Sequence, residues 1–287
     1  MAMQRAEPVE RFTAAFGIAH GALIWLLGGR RPGAAAMITG DVLVAALIVQ
    51  ASPRLRRADR AALRFLGIAL PLLAFGVFYL QTGLVDLSAV RWHDAELATL
   101  QRYVLDRVPV IHAAALRDWF ILAYFSYDVF LVAGVLALFV PRDATAQHSA
   151  GDAVRRICYA LACCFVIALL FPALSPRYVY PELQLAYLDQ GTAVGRIAAA
   201  LQSGGMVAGS SFPSAHLAAV TTLMWDLHRA RRVLFWLCLP LVVSMAAGTV
   251  LFLYHYIPDV VSGIAVGAVA VGVDRWFRAP ASERATA

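Results

Sequence analysis

Residues 233–277 read VLFWLCLPLVVSMAAGTVLFLYHYIPDVVSGIAVGAVAVGVDRWF. Two apolar runs, 233–254 and 259–277, flank a short link made of His255, Tyr256, Ile257 and Pro258. Each run is long enough to cross the hydrocarbon of a bilayer as a helix. After Asp259 no charged residue occurs until Asp274. Backbone polar groups in lipid must be satisfied within the segment itself, so the stretch reads as two membrane helices joined by a tight polar turn.

The same pattern recurs outward from this pair, at about 12–29, 34–52, 62–84, 119–140, 154–174 and 213–227, which makes about eight candidate helices. The first and sixth are short, so seven spans with one re-entrant or interfacial segment is the alternative. With 61% hydrophobic residues and a mean hydropathy of +0.70, the chain is too apolar for a soluble domain of 287 residues. The expected fold is therefore all-α, a polytopic transmembrane helical bundle forming a single integral membrane domain over 1–287. No internal repeat or low-complexity tract divides it. The N-terminal spans within 12–84 receive no role from the sequence. Glu7 and Glu10 stand where a signal peptide would be basic, so the first run is expected to stay in the chain.

The net charge of +6 is carried by arginine, for the chain contains no lysine. Arg54, Arg56, Arg57, Arg60 and Arg64 form one basic connection, Arg142, Arg155 and Arg156 a second, and Arg229, Arg231 and Arg232 a third. With eight spans these share one face with both termini, and the positive-inside rule makes that face cytoplasmic. Arg30 and Arg31 dissent. This explains the basic balance without nucleic acid. The connections at about 85–118, 175–212 and 255–258 then open on the extracytoplasmic side, in the inner (plasma) membrane of a bacterium. Segment 86–118, with Trp92, His93, Asp94, Glu96, Arg102, Asp106 and Arg107 among leucines and valines, reads as an amphipathic interfacial helix, with substrate access as the sharper alternative. Cys158, Cys163, Cys164 and Cys238 lie in apolar runs without ligand spacing, so neither a disulfide nor a metal is expected, and no cofactor.

Three clusters on the extracytoplasmic face carry chemistry. FPALSPRYVYP, 171–181, ends a span and sets Arg177 at the surface between prolines and tyrosines, which alone is ordinary interfacial anchoring. GSSFPSAHLA, 209–218, composes a helix start whose free amides, Ala215 included, favour an anion, with Ser211 and Ser214 as hydroxyl donors and His216 in the first turn. YHYIPDVVSG, 254–263, leaves His255 before a helix and Asp259 in its first turn. That carboxylate answers either to the helix dipole or to the imidazole. A cation, a donor-rich helix start, two histidines and an orienting carboxylate on one surface are the parts that phosphoryl transfer needs. His20, His93, His112, His148 and His228 have no partner at recognisable spacing and read as packed or interfacial.

These clusters resemble the type 2 phosphatidic acid phosphatase superfamily, with its order KxxxxxxRP, PSGH and SRxxxxxHxxxD. PSAH at 213–216 matches the second element and His255 with Asp259 ends the third. The resemblance covers 119–277 and implies a six-helix phosphatase-type core there. It implies His255 as nucleophile, Asp259 as its partner, His216 as the acid for the leaving group, and Ser214 with Arg177 as phosphate ligands. The departures are that no lysine exists, that Pro176 precedes Arg177, and that Gly248 and Thr249 replace the Ser-Arg pair. They resemble the branch of inositol phosphorylceramide synthase (the inositolphosphotransferases) and, more distantly, sphingomyelin synthase, which Phe212 and Tyr256 also fit. That likeness implies transfer of a phospho-headgroup from a phospholipid to a lipid alcohol through phosphohistidine, within phospholipid or sphingolipid metabolism. The alternative is a lipid phosphate phosphatase that hydrolyses phosphatidic acid or polyprenyl phosphates with water as acceptor. A reading of another class, a transporter or inactive scaffold, rests on Asp41 and Asp128 inside apolar runs.

Overall fold

The computed structural model describes residues 7–28, 34–83, 91–105, 113–140, 144–188, 191–203, 207 and 209–278, and their regular elements are all helices. In chain order they are α1 (Pro8–Gly28), α2 (Ala34–Leu55), α3 (Ala61–Thr82), α4 (Asp94–Leu105), α5 (Ala114–Phe125), α6 (Tyr127–Phe139), α7 (Ala144–Leu170), α8 (Pro176–Val179), α9 (Pro181–Leu188), α10 (Ala193–Ser203), α11 (Ala215–Ala230), α12 (Arg232–Leu251) and α13 (Ile257–Arg278). The all-helical reading holds. Large apolar side chains point outward from the long helices: Val233 and Leu237 are 73% and 70% exposed, as faces toward lipid require and faces toward water do not. The protein is an integral membrane protein.

The span count differs from the expected eight. Among the described residues five helices are long and apolar enough to cross, and a sixth if α5 and α6 act as one. The run at 119–140 is not straight: α5 and α6 meet at 61° around Ser126, whose hydroxyl bonds the Ala123 carbonyl and so competes with the helical ladder. α11, expected as a span, has only 16 residues. It lies inside the bundle against α6, α7, α12 and α13, so its neighbours shield it and it needs no lipid-facing stripe. α1 carries Glu10, Arg11 and a buried His20, which lowers its apolar character.

Close helix approach is set by small residues. A Cβ on Gly263 would stand 2.4 Å from the Ser214 carbonyl, and one on Gly267 2.5 Å from that of Ala218. Asp259, Gly263 and Gly267 thus share the face of α13 that lies on α11, a small-xxx-small packing. At the opposite end, Arg155 and Arg156 both bond Asp274 at 2.8 Å, Arg156 also pairs with Asp226, and Arg56 pairs with Glu7 at 2.6 Å. Arg56, Arg57 and Arg155 line one pocket with Glu7 and Asp152, so the first two of the basic connections meet there. Arg30, Arg31, Asp106, Arg107, His112 and Arg142 lie outside the described residues.

Of the segment 86–118, expected as an amphipathic helix, the described residues include α4 and the start of α5. Asp94, one of the polar residues of the expected interfacial helix, is buried, and so is Gln101. They hold the ends of other helices, as described below. Asp41 is fully buried and accepts a 2.7 Å bond from Gln81, tying α2 to α3.

Candidate active site

α13 begins at Ile257, one residue before Pro258, and Asp259 occupies its first turn. Its Oδ2 accepts the Tyr256 amide at 3.0 Å, the reach-back of a capping residue. The same oxygen accepts the Ser211 hydroxyl at 2.5 Å and lies 3.2 Å from His255 Nδ1. The carboxylate thus meets both the start of α13 and the imidazole. With Nδ1–H on the carboxylate, Nε2 carries the lone pair. Asp259 is 0% exposed, so water does not compete for these bonds.

His255 is presented by the end of α12. The Thr249 carbonyl accepts the amides of both Tyr254 and His255, at 3.0 and 3.1 Å, and Leu253 turns the chain with φ 60°. This position explains one departure from the family pattern. A Cβ at Gly248 would lie 2.7 Å from the Phe120 carbonyl, and Thr249 is fully buried, so the site of the missing Ser-Arg pair is occupied by the contact between α12 and α5.

α11 starts at the same place. The Ser214 amide donates to the Asp259 carbonyl at 2.9 Å, and its hydroxyl caps α11 by accepting the Leu217 amide at 3.4 Å. The first-turn amides of Ala215 and His216 remain for an anion. His216 lies between Tyr124, 5.4 Å away, and Tyr127, 4.3 Å away, and its ring centroid is 5.8 Å from that of His255. A small cavity separates the two histidines. Arg177, Ser175, Ser210, Ser211, Ala215 and Tyr254 are among its lining residues.

The structure thus brings His216, His255, Ser211, Ala215 and Arg177 to one cavity, with Asp259 behind His255. Ser214 stands one step back, its hydroxyl engaged in the cap. Ser211 donates its proton to Asp259, which leaves its oxygen toward His255 Nδ1 at 3.3 Å. Among the described residues Arg177 is the only arginine lining the cavity. Arg91 pairs with Glu96, Arg102 bonds the Tyr180 hydroxyl and Arg196 bonds the Gly191 carbonyl.

Several residues of the site had no signal as site residues in the sequence. Asp94 accepts the Leu174 amide at 2.9 and 3.0 Å and the Tyr256 hydroxyl at 2.8 Å, joining the strand-like 171–175 segment to the His255 turn. Burial, and then this bond, push the Tyr256 phenol above its ordinary range, so it stays a donor. Gln101 accepts the Ile257 amide at 3.1 Å, and Gln184 donates to the Phe252 carbonyl at 3.0 Å. Ser175, with φ 101°, donates to the Tyr254 carbonyl at 2.6 Å. Such a backbone conformation in a non-glycine residue is costly and is held only by its surroundings. Tyr124 stacks on Tyr254 with centroids 3.8 Å apart. Asp94, Ser175, Tyr254 and Tyr256 fall in segments that the sequence singled out, whereas Gln184 and Tyr124 carried no such signal.

A family model described as the PAP2 superfamily matches residues 99–273. No curated protein and no solved structure matches the chain.

Proposed function

Because the chain belongs to the PAP2 superfamily, whose members are lipid enzymes of the phosphatase and phosphotransferase type, we propose that it moves a phospho-headgroup from a phospholipid to a lipid alcohol through a phosphohistidine on His255. His255 Nε2 attacks phosphorus while its Nδ1–H remains on Asp259, which stabilises the imidazolium formed. The bond from phosphorus to the leaving oxygen breaks as His216 protonates that oxygen. In the second half, His216 takes the proton of the incoming hydroxyl, its oxygen attacks phosphorus, and the electron pair of the P–N bond returns to His255. Arg177 and the amides of Ala215 and His216 face the non-bridging oxygens.

The observation that carries the preference for transfer is the single arginine lining the cavity among the described residues. A phosphate monoester carries close to two negative charges near neutral pH, whereas a diester carries one. One fixed cation matches the diester better. The family signature supplies three cations, and here two of those positions hold no charge. By the distribution of arginines the site faces the extracytoplasmic side of the membrane.

The test is a competition between phosphatidic acid and a phosphodiester lipid such as phosphatidylinositol, with ceramide or diacylglycerol supplied. Headgroup transfer to the alcohol is the expected result. Rapid release of inorganic phosphate from phosphatidic acid, with no transfer to any acceptor, would replace this reading with a lipid phosphate phosphatase.

A further inference from the structure

A second cavity, ≈ 400 Å³ in volume, runs between α3, α6 and α7 and meets the catalytic cavity at Tyr79, Ala215 and His216. Its walls are apolar: Leu72 and Phe75 on α3, Leu131 on α6, and Leu161 and Phe165 on α7. α3 lies outside the residues that match the family, so this groove is an addition of the N-terminal helices to the family core. Leu73 and Val132, both lining residues, are 51% and 48% exposed, so the groove is open sideways, where the bilayer lies.

One lining residue is out of keeping with these walls. Asp128 stands in the groove one residue after Tyr127, whose ring meets His216 edge-on at 4.3 Å. An ionisable side chain at membrane depth is costly and calls for a partner or a function. Asp41 has its partner in Gln81. Among the described residues Asp128 has neither a hydrogen bond nor an ion pair. A carboxyl group there repels a phosphate and accepts a hydrogen bond from a hydroxyl. The apolar walls suit a hydrocarbon chain, and continuity with His216 delivers that hydroxyl to the group that must take its proton.

We propose that this groove binds the lipid alcohol acceptor, its chain against α3 and α7 and its hydroxyl on Asp128 beside His216. The proposal rests on the transfer reading and names its second substrate by class. The donor keeps the opposite side, with its phosphate on Arg177. In the transfer step the hydroxyl proton goes to His216 and its oxygen to phosphorus as the bond to His255 breaks. Asp128 aligns the hydroxyl and keeps no proton from it.

Gly76 offers a probe, because it lines the groove and a Cβ there meets nothing within 4 Å, so the position has room to accept a side chain. Transfer from phosphatidylinositol to a short-chain diacylglycerol is measured for wild type, Gly76→Phe and Asp128→Asn. The ratio of transfer to hydrolysis should fall at least tenfold in Gly76→Phe, and the KM for diacylglycerol should rise at least tenfold in both. Separately, a diacylglycerol with a photoreactive group on its chain is crosslinked to purified protein, and its label should map to α3 or α7 and be lost in Gly76→Phe. Labelling there without any transfer in wild type would keep the groove and remove the transfer reading. Transfer with unchanged KM in both variants, or with the label elsewhere, would overturn the groove assignment.

Discussion

His216 and His255 stand with ring centroids 5.8 Å apart and planes at 67°, each at the start of a different helix. Neither helix alone places them so. The Ser214 amide bonded to the Asp259 carbonyl joins the two helix starts, and Gly263 lets α13 lie directly on that junction. The spacing of the two histidines is thus a property of the α11–α13 contact.

If His255 is the nucleophile and His216 the acid, their variants separate by leaving group. His255→Gln should trap no labelled phosphoenzyme when quenched without acid. His216→Ala should lose about 10²–10⁴-fold with an ordinary lipid leaving group. It should recover with an activated one, which departs without a proton. Equal losses on both substrates would remove His216 from the role of acid.

Asp259→Asn should lower single-turnover phosphorylation by about 10⁴-fold, since an amide can hold the imidazole in the wrong tautomer. Ser211→Ala removes one hydrogen bond to the same carboxylate, and should cost about tenfold, the scale of a charge-assisted bond. The comparison is made on protein of unchanged thermal stability. A larger effect from Ser211→Ala than from Asp259→Asn would contradict the orienting role of the carboxylate.

Gly263→Val is expected to drive α13 from the Ser214 carbonyl, with about 1–3 kcal/mol of lost stability from overpacking. Activity should fall further than stability, because the His216 to His255 spacing changes. Gly272, where a Cβ meets nothing within 4 Å, is the control, and Gly272→Ala should leave both quantities close to wild type.

Sidedness is read with single cysteines at exposed positions, in a background whose four native cysteines are replaced. An impermeant thiol reagent applied to intact cells should label Glu182→Cys, near the site, and spare Ala230→Cys until lysis. The reverse pattern would invert the membrane orientation.

Much of this molecule was legible in one dimension. Apolar runs bounded by prolines and arginines specify helices because lipid forbids unsatisfied backbone, and that constraint acts on each segment separately. His255, Asp259 and the 214–217 helix start are likewise local: a proline, a capping serine and a first-turn acid act within four residues. The 16-residue α11 and the bend at Ser126 misled the count of spans, since a shielded helix need not be long and a hydroxyl can break a continuous apolar run.

Sequence by itself therefore determined the helical membrane class, the helix starts and the residue types of the site, all consequences of short-range chemistry. Tertiary structure alone decided that Asp94 and Gln101 turn inward to hold the His255 turn, that Gly248 lies against the Phe120 carbonyl beside a buried Thr249, and that Asp128 faces a groove while Asp41 bonds Gln81. Those outcomes depend on which faces meet across the bundle, and a residue's own neighbours in the chain carry no record of the partners it meets through space.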